Sequence, residues 1–141
     1  MEIKMEKIEG LVITEELKEH LRRGNELFDE EKYEEALESY KSIIEEFPDA
    51  YIIHKNIGNC YFQTEKYDLA EGAIYRWEKA VELKPDFSFP LYNLGLVYLA
   101  KGDKTQALSY FAKYKEMHYH SLSPEGKDKL DTLIQKCREK T

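Results

Sequence analysis

The feature that most constrains this chain is a glycine that recurs with similar neighbours. Gly24, Gly58 and Gly95 are separated by 34 and 37 residues. Three positions after each glycine comes a large side chain, and each segment then carries an alanine with an aromatic residue four positions later. The large side chains are Leu27, Tyr61 and Tyr98, and the alanine–aromatic pairs are Ala36/Tyr40, Ala73/Trp77 and Ala107/Phe111. Several independent offsets that agree in this way indicate an internal repeat.

The repeated pattern predicts pairs of closely crossing helices. Residues three or four positions apart share one helix face, so each offset marks one face of a helix. A small residue is needed where two helix backbones approach, which explains glycine on the first helix and alanine on the second. Proline cannot continue a helix, and Pro48 and Pro85 each follow a repeat alanine by twelve residues. We therefore expect an all-α chain of helix–turn–helix units.

The same residues resemble the tetratricopeptide repeat family, whose 34-residue unit has the pattern Trp-x-x-Leu-Gly-x-x-Tyr, Ala-x-x-x-Phe and Pro. The third unit matches best, with Leu94-Gly95-x-x-Tyr98 followed by Ala107-x-x-x-Phe111. The resemblance implies a right-handed superhelical stack of antiparallel helix pairs, a TPR-like α-solenoid. We divide the chain into an N-terminal apolar leader (1–16), three repeats (17–50, 51–87 and 88–121) and a C-terminal capping helix (122–141).

Two regions depart from the repeat pattern. The second unit has three extra residues between Tyr67 and Ala73, which we interpret as an added turn at the start of its second helix, with a bulge at Gly72 as the alternative. The third unit lacks the closing proline, so its second helix should run on toward His118. Ser123, followed by proline, predicts the start of the capping helix. An apolar stripe at helical spacing follows: Leu130, Leu133, Ile134 and Cys137.

The resemblance also implies a binding surface, because in this family the first helices of successive units line a concave groove that holds a peptide or a helix. The corresponding side chains here are mainly cations, amides and aromatic rings: Lys18, Arg22, Asn25, Lys55, Asn56, Asn59, Phe62, Tyr92 and Asn93. Asparagine both donates and accepts hydrogen bonds, and aromatic rings add contact area. We predict a non-enzymatic protein–protein interaction adaptor that binds a protein or peptide segment in this groove. The alternative is a groove partly filled by the cap or by a tail of the chain.

One specialised family site can be tested on the residues. Chaperone-binding members hold a C-terminal carboxylate with two asparagines and three cations. The matching positions here are Leu21, Asn25, Asn56, Phe89 and Asn93, so the two asparagines are present and the three cations are replaced. Because the carboxylate would lose its charge-assisted partners, we do not expect this clamp.

Charge and hydropathy argue against several other classes of ligand. The 21 basic and 28 acidic residues give a net charge of −7, which argues against nucleic acid or an anionic membrane as the main ligand. Residues 1–50 contain 16 acidic and 7 basic side chains, so the acidic excess lies in the first third. No apolar run approaches the ~18 residues of a spanning helix, and the first residues lack a signal-peptide core. We expect a cytoplasmic location.

Residues that carry catalysis or bind metals are not arranged for either role. The chain has no G-x-S-x-G, H-E-x-x-H or phosphate-binding glycine loop. His20 and His54 occupy equivalent repeat positions and are interpreted as structural, while His118 and His120 have too few further ligands nearby for a metal. We therefore expect no enzyme activity, cofactor or metal. Two thiols are predicted to be buried at apolar helix positions: Cys60 and Cys137.

The N-terminal segment is too apolar for a solvated tail and precedes a predicted helix start at Thr14. It could fold onto the first helix pair, occupy the groove or pair with another copy, and a flexible terminus is the simplest alternative. Pairing would make the protein a homo-oligomer and a self-assembling structural or oligomerisation module, which is the second class of function that we consider. The apolar residues of this segment are Ile3, Met5, Ile8, Leu11, Val12 and Ile13.

Overall fold

The repeat pattern folds into helix pairs joined by short turns. The computed structural model describes residues 6–8, 11–64 and 70–140. The described elements are β1 Glu6–Ile8, β2 Leu11–Ile13, α1 Glu15–Asp29, α2 Tyr33–Glu46, α3 Tyr51–Gln63, α4 Ala70–Leu83, α5 Leu91–Ala100, α6 Lys104–His118, a 3-10 turn Tyr119–Ser121 and α7 Pro124–Arg138. Three helix pairs and a final helix confirm the predicted all-α class.

The leader contains a short β-hairpin, which the sequence did not indicate. β1 and β2 pair antiparallel, with Glu6 opposite Ile13 and Ile8 opposite Leu11. The predicted helix start after the hairpin is confirmed, because Thr14 caps α1 and its hydroxyl accepts a hydrogen bond from the Leu17 amide at 3.3 Å. Whether the leader mediates self-assembly stays a prediction.

The three helix pairs share one packing contact between a glycine and an aromatic ring. A β-carbon placed on Gly24 would lie 2.7 Å from the Tyr40 ring, and one on Gly58 would lie 2.5 Å from the Trp77 ring. The third pair repeats this contact, since a β-carbon on Gly95 would lie 2.5 Å from Phe111. Glycine is therefore required by the close approach of a ring from the second helix, whereas the spacing had suggested the approach of the two helix backbones as the reason.

The chain divides into two compact units, Met1–Leu83 and Lys84–Thr141. From here on, the first unit and the second unit are these two parts of the chain and not the sequence repeats. The first unit contains α1 to α4, and its core joins apolar side chains of α1, α2 and α3 with the residue before α3. The main buried members of this cluster are Leu17, Leu27, Ala36, Tyr40, Ile43, Ile44, Ala50, Ile53, Ile57 and Cys60. On α4, Trp77 is fully buried.

The second unit contains α5, α6 and α7. Its core joins Ala107 and Phe111 of α6 to Leu130, Ile134 and Cys137 of α7. The predicted cap is confirmed: Ser123 precedes α7 and its hydroxyl accepts a hydrogen bond from the Gly126 amide at 3.0 Å. Only one stripe of α7 is buried, so this helix covers the end of an apolar core and keeps a polar outer face.

Helix starts are equivalent in the three pairs. α2, α4 and α6 each begin three residues before the repeat alanine, at Tyr33, Ala70 and Lys104. The interpretation of an added turn before α4 falls largely on residues 65–69, which lie outside the described residues, whereas Gly72 lies within α4. The prediction that the second helix of the third pair runs on to His118 is confirmed, and the 3-10 turn follows it. Within the described residues, every helix is too short or too polar to cross a lipid bilayer.

Candidate functional site

An asparagine directly after the repeat glycine hydrogen-bonds to the aromatic residue of the second helix. In the pair α3–α4, the Trp77 indole nitrogen donates to Asn59 Oδ1 at 3.1 Å. An indole N–H is a donor only, so the amide must present its oxygen to Trp77. This leaves the Asn59 NH2 group as the remaining polar group of that side chain.

The first helix pair repeats the arrangement with a different ring. The Tyr40 hydroxyl donates to Asn25 Oδ1 at 2.5 Å. Burial raises the pKa of Tyr40, so its hydroxyl keeps its proton at neutral pH. Asn25 and Asn59 therefore hold equivalent positions and have the same amide orientation.

The third helix pair lacks both partners of this hydrogen bond. Leu96 follows the repeat glycine, and Phe111 occupies the place of the tyrosine or tryptophan. Leu96 packs against the core that contains Phe111. The hydrogen-bonding partners are thus present together in the first unit and replaced together in the second.

The two oriented amides open onto one cavity of the first unit, with a volume of about 330 Å³. We name it the amide cavity, and its lining side chains come from α1, α2 and α3: Asn25, Phe28, Asp29, Tyr40, Lys55, Asn56 and Asn59. Four of the nine predicted groove residues meet here: Asn25, Lys55, Asn56 and Asn59. Among the described residues, no hydrogen-bond partner is found for the Asn56 side chain or for the NH2 groups of Asn25 and Asn59.

Electrostatics in the amide cavity are set by one cation and one acid of the lining. Lys55 is half-buried, and burial lowers the pKa of its ammonium group. Asp29 supplies the acidic group at the exposed end of α1. A partly desolvated ammonium interacts with an anion more strongly than a fully hydrated one. Besides these charges, the lining presents polar donors and the half-buried ring of Phe28, whereas Tyr40 is 2% exposed and contributes through its hydrogen bond to Asn25.

The other two predicted cations of the first unit lie outside the lining of this cavity. Arg22 is exposed and forms ion pairs with Glu19 and Glu26 on its own helix. Its charge is therefore balanced locally and adds little positive field. Lys18 is exposed one turn earlier on α1.

Phe62 is the exposed aromatic residue of α3, with 40% of its surface accessible. Its ring lies 5.4 Å from that of Trp77. The predicted residues Tyr92 and Asn93 lie on α5 in the second unit, where the ring of Tyr92 lies 5.8 Å from Phe111 and 5.4 Å from Tyr114. Tyr92 therefore contributes to packing within its own unit.

The three positions at which the family clamp has cations hold uncharged side chains with other contacts. Leu21 packs against the core of the first unit. Phe89 is 67% exposed and its ring stacks 6.2 Å from that of Phe87. Asn93 is half-buried on α5. These side chains offer no charge-assisted contact to a terminal carboxylate.

Two of the four histidines, His54 and His118, make hydrogen bonds within their own units. His54 is buried, one ring nitrogen lies 2.7 Å from the Pro48 carbonyl oxygen and the other accepts from Arg76 at 3.2 Å. His118 hydrogen-bonds to Ser88 within the second unit. Among the residues that the structure describes, no group of three or more potential metal ligands comes together. The predicted burial of both thiols is confirmed, and burial raises the pKa of Cys60 to about 12.

Sequence reasoning assigned Tyr40 and Trp77 to packing and missed their hydrogen bonds to the asparagines. The signal was present in the repeat alignment: asparagine follows glycine only in the two units whose aromatic residue carries a polar hydrogen. The pairing of Arg22 was also readable, because glutamates stand three positions before it and four after it.

Comparison with known proteins agrees with the helix-pair architecture. Two family models of the tetratricopeptide repeat match this sequence, one over residues 21–86 and the other over residues 77–109. Hsp70-Hsp90 organizing protein 1 of Glycine max is 32% identical over 117 residues, which are 83% of this chain and 19% of that protein. The chain spans between 15% and 20% of the length of the curated relatives that it matches.

Two solved structures illustrate the likeness in fold. The Sgt2 TPR domain from Aspergillus fumigatus superposes with a TM-score of 0.71 and 23% identity, covering 87% of this chain and 80% of that one. The Yersinia enterocolitica type III secretion chaperone SycD, in complex with a peptide of the translocator YopD, gives a TM-score of 0.74 and 16% identity over 89% of this chain and 95% of that one. At these identities the likeness shows the fold.

Proposed function

Because this chain belongs to the tetratricopeptide repeat family, we propose that it is a non-enzymatic adaptor that binds a segment of another protein across α1 and α3 of the first unit. The observation that carries the proposal is the amide cavity, in which Asn25, Asn56 and Asn59 come together beside Lys55. Amide donors match the carbonyl oxygens of an extended polypeptide and make few demands on its sequence.

The aromatic side chains beside these amides support the same ligand. Phe28 lines the amide cavity, and Phe62 is exposed on α3. Rings of this kind add apolar contact area at low entropic cost. Similar solved structures are also complexes with binding partners, namely SycD with a peptide of the translocator YopD and the TPR2B domain of yeast Sti1 with pHsp70.

Asn56→Ala is the sharpest test, because no partner for the Asn56 side chain is found among the described residues and its removal should leave the fold intact. The probe is a displayed library of random ten-residue peptides with blocked ends, followed by fluorescence anisotropy with the strongest binder. Loss of one or two hydrogen bonds of about 1 kcal/mol each should weaken binding about five- to thirtyfold.

The matched control is Gln135→Ala, which removes an exposed amide from α7 and should leave the Kd unchanged. A library that yields no peptide binder would contradict the proposed function. An Asn56→Ala variant that binds the selected peptide as tightly as the native chain would contradict the placement of the site.

A further inference from the structure

We propose that the amide cavity anchors the side-chain carboxylate of an aspartate or glutamate inside the bound segment, with Tyr40 and Trp77 as positioning residues that turn the donors of Asn25 and Asn59 toward it. This inference rests on the proposed function and names the group that the cavity selects. It differs from recognition of a chain terminus, because the ligand group is a side chain.

First, the side-chain amides of Asn25 and Asn59 are oriented by hydrogen bonds to aromatic residues of the second helices. Trp77 Nε1 donates to Asn59 Oδ1 at 3.1 Å, and an indole cannot accept a hydrogen bond in return. A flipped amide would place NH2 against N–H and leave both donors without an acceptor. The Trp77 ring therefore keeps the NH2 group of Asn59 for a ligand. At Asn25 the Tyr40 hydroxyl donates to Oδ1 at 2.5 Å, which gives the same arrangement, although a phenol hydroxyl, unlike an indole N–H, is also able to accept.

The second step is the balance of donors and acceptors in the cavity. Two NH2 groups in fixed orientation offer up to four hydrogens, the Lys55 ammonium group adds a positive charge, and Asp29 is the carboxylate of the lining. A ligand group that fits this lining must accept several hydrogen bonds at once. Lys55 is half-buried, so water screens its ammonium group less completely from a nearby anion.

The third step is the choice of the acceptor. A carboxylate accepts hydrogen bonds at two oxygens and forms charge-assisted bonds that are about twice as strong as neutral ones. A backbone carbonyl offers one oxygen and no charge, so it would use only part of the donor set. The cavity of about 330 Å³ has room for a carboxylate side chain. Because Asp29 would repel a second carboxylate, we expect the ligand group to seat against the amides and Lys55.

The experiment uses the full chain and ten-residue libraries with acetylated and amidated ends, so that no terminal carboxylate is present. Selected peptides should be enriched in aspartate or glutamate at one position. In the tightest binder, replacement of that residue by asparagine or glutamine should weaken binding at least tenfold. A second library with free C-termini and no internal acids separates the two sources of carboxylate.

Tyr40→Phe tests the positioning role without changing the ring. The fold accepts phenylalanine at this repeat position, because Phe111 occupies the equivalent place in the third helix pair. The variant should reduce the preference for the acidic peptide over its amide counterpart at least threefold, and Lys55→Gln should reduce it further. Effects on packing alone would weaken both peptides equally and leave this ratio unchanged.

The outcomes separate the two proposals. If no peptide binds from either library, the proposed function is wrong and this inference falls with it. If peptides bind without an acidic preference, or bind only through a free C-terminus, the adaptor function stands and the side-chain anchor is overturned. An unchanged acid-to-amide ratio in both Tyr40→Phe and Lys55→Gln would also overturn it.

Discussion

Gly58→Ala should destabilise the first unit, because the α3–α4 contact leaves no room for a methyl group. The added β-carbon would lie 2.5 Å from Cδ1 and Nε1 of Trp77, whereas carbon atoms pack at about 3.5–4.0 Å. The indole ring would therefore have to move by about 1 Å. Trp77 is fully buried and its nitrogen is hydrogen-bonded to Asn59, so this movement disturbs both the core and the polar contact.

The expected loss can be estimated from two opposing effects. Overpacking a well-packed core costs about 1–3 kcal/mol, and a large, fully buried ring places this site at the upper end. Alanine regains about 1 kcal/mol over glycine in a helix interior. The free energy of unfolding should therefore fall by about 2 kcal/mol, since the steric cost exceeds the gain in helix propensity.

Urea unfolding followed by the fluorescence of Trp77, the single tryptophan of the chain, reports on the first unit directly. The control is Gly126→Ala in α7, where the new β-carbon would lie 3.3 Å from the Ser123 hydroxyl oxygen. A shift of a few tenths of an ångström relieves this contact, and the helix propensity of alanine offsets any weakening of the Ser123 cap. This variant, measured by circular dichroism, should therefore change stability by less than about 1 kcal/mol. A Gly58→Ala variant within about 0.5 kcal/mol of the native chain would refute the steric argument.

Two further predictions concern His54 in the first unit and the N-cap of α7 in the second unit. Burial lowers the pKa of His54 most, and the nearby charges of Arg76 and Lys79 lower it further. His54 therefore binds a proton more readily in the unfolded chain than in the folded chain. The full stability should be present above about pH 6.5 and should decrease as the pH falls toward the folded-state pKa of His54. Urea unfolding at pH 7.5 and pH 5 should therefore show a smaller decrease in stability for His54→Gln than for the native chain. Ser123→Ala should lower stability by about 1 kcal/mol because α7 loses its N-cap, while Ser109→Ala on the exposed face of α6 should change it by less than about 0.5 kcal/mol. Equal losses in the two serine variants, measured by thermal unfolding, would contradict the capping role.

Local rules were enough to predict most of the fold. The spacing of glycine, alanine and aromatic residues predicted closely crossing helix pairs, although the close neighbour of Gly58 is the Trp77 ring and not a backbone. Capping is equally local. The hydroxyl of Thr14 and that of Ser123 each accept a hydrogen bond from the amide three residues later, and this fixes the start of α1 and of α7. The leader was harder, because its short apolar stretch suits a helix or a strand, and the hairpin of Glu6–Ile8 with Leu11–Ile13 was missed.

Four of the nine predicted groove residues line one cavity, but the chemistry of that cavity was not predicted. Helical spacing places Asn25, Asn56 and Asn59 on neighbouring first helices, yet it does not show which amide atoms face a ligand. That orientation depends on Tyr40 and Trp77, which follow their asparagines by 15 and 18 residues. Counting cations on the predicted face overstated its positive charge, because Arg22 is neutralised by two glutamates of its own helix.

The difference between the helix pairs is best explained by what covers the residue after the repeat glycine. In the third pair, Leu96 packs against a core that α7 closes with Leu130 and Ile134. Leu96 is half-buried, and an asparagine there would lie beside Phe111, whose ring offers no hydrogen-bonding group to its amide. In the first unit Asn25 is exposed and Asn59 is half-buried, so their NH2 groups remain accessible to a ligand. The cap therefore requires an apolar pair in the second unit, and the amide–aromatic pairs occur where, on our proposal, a partner binds.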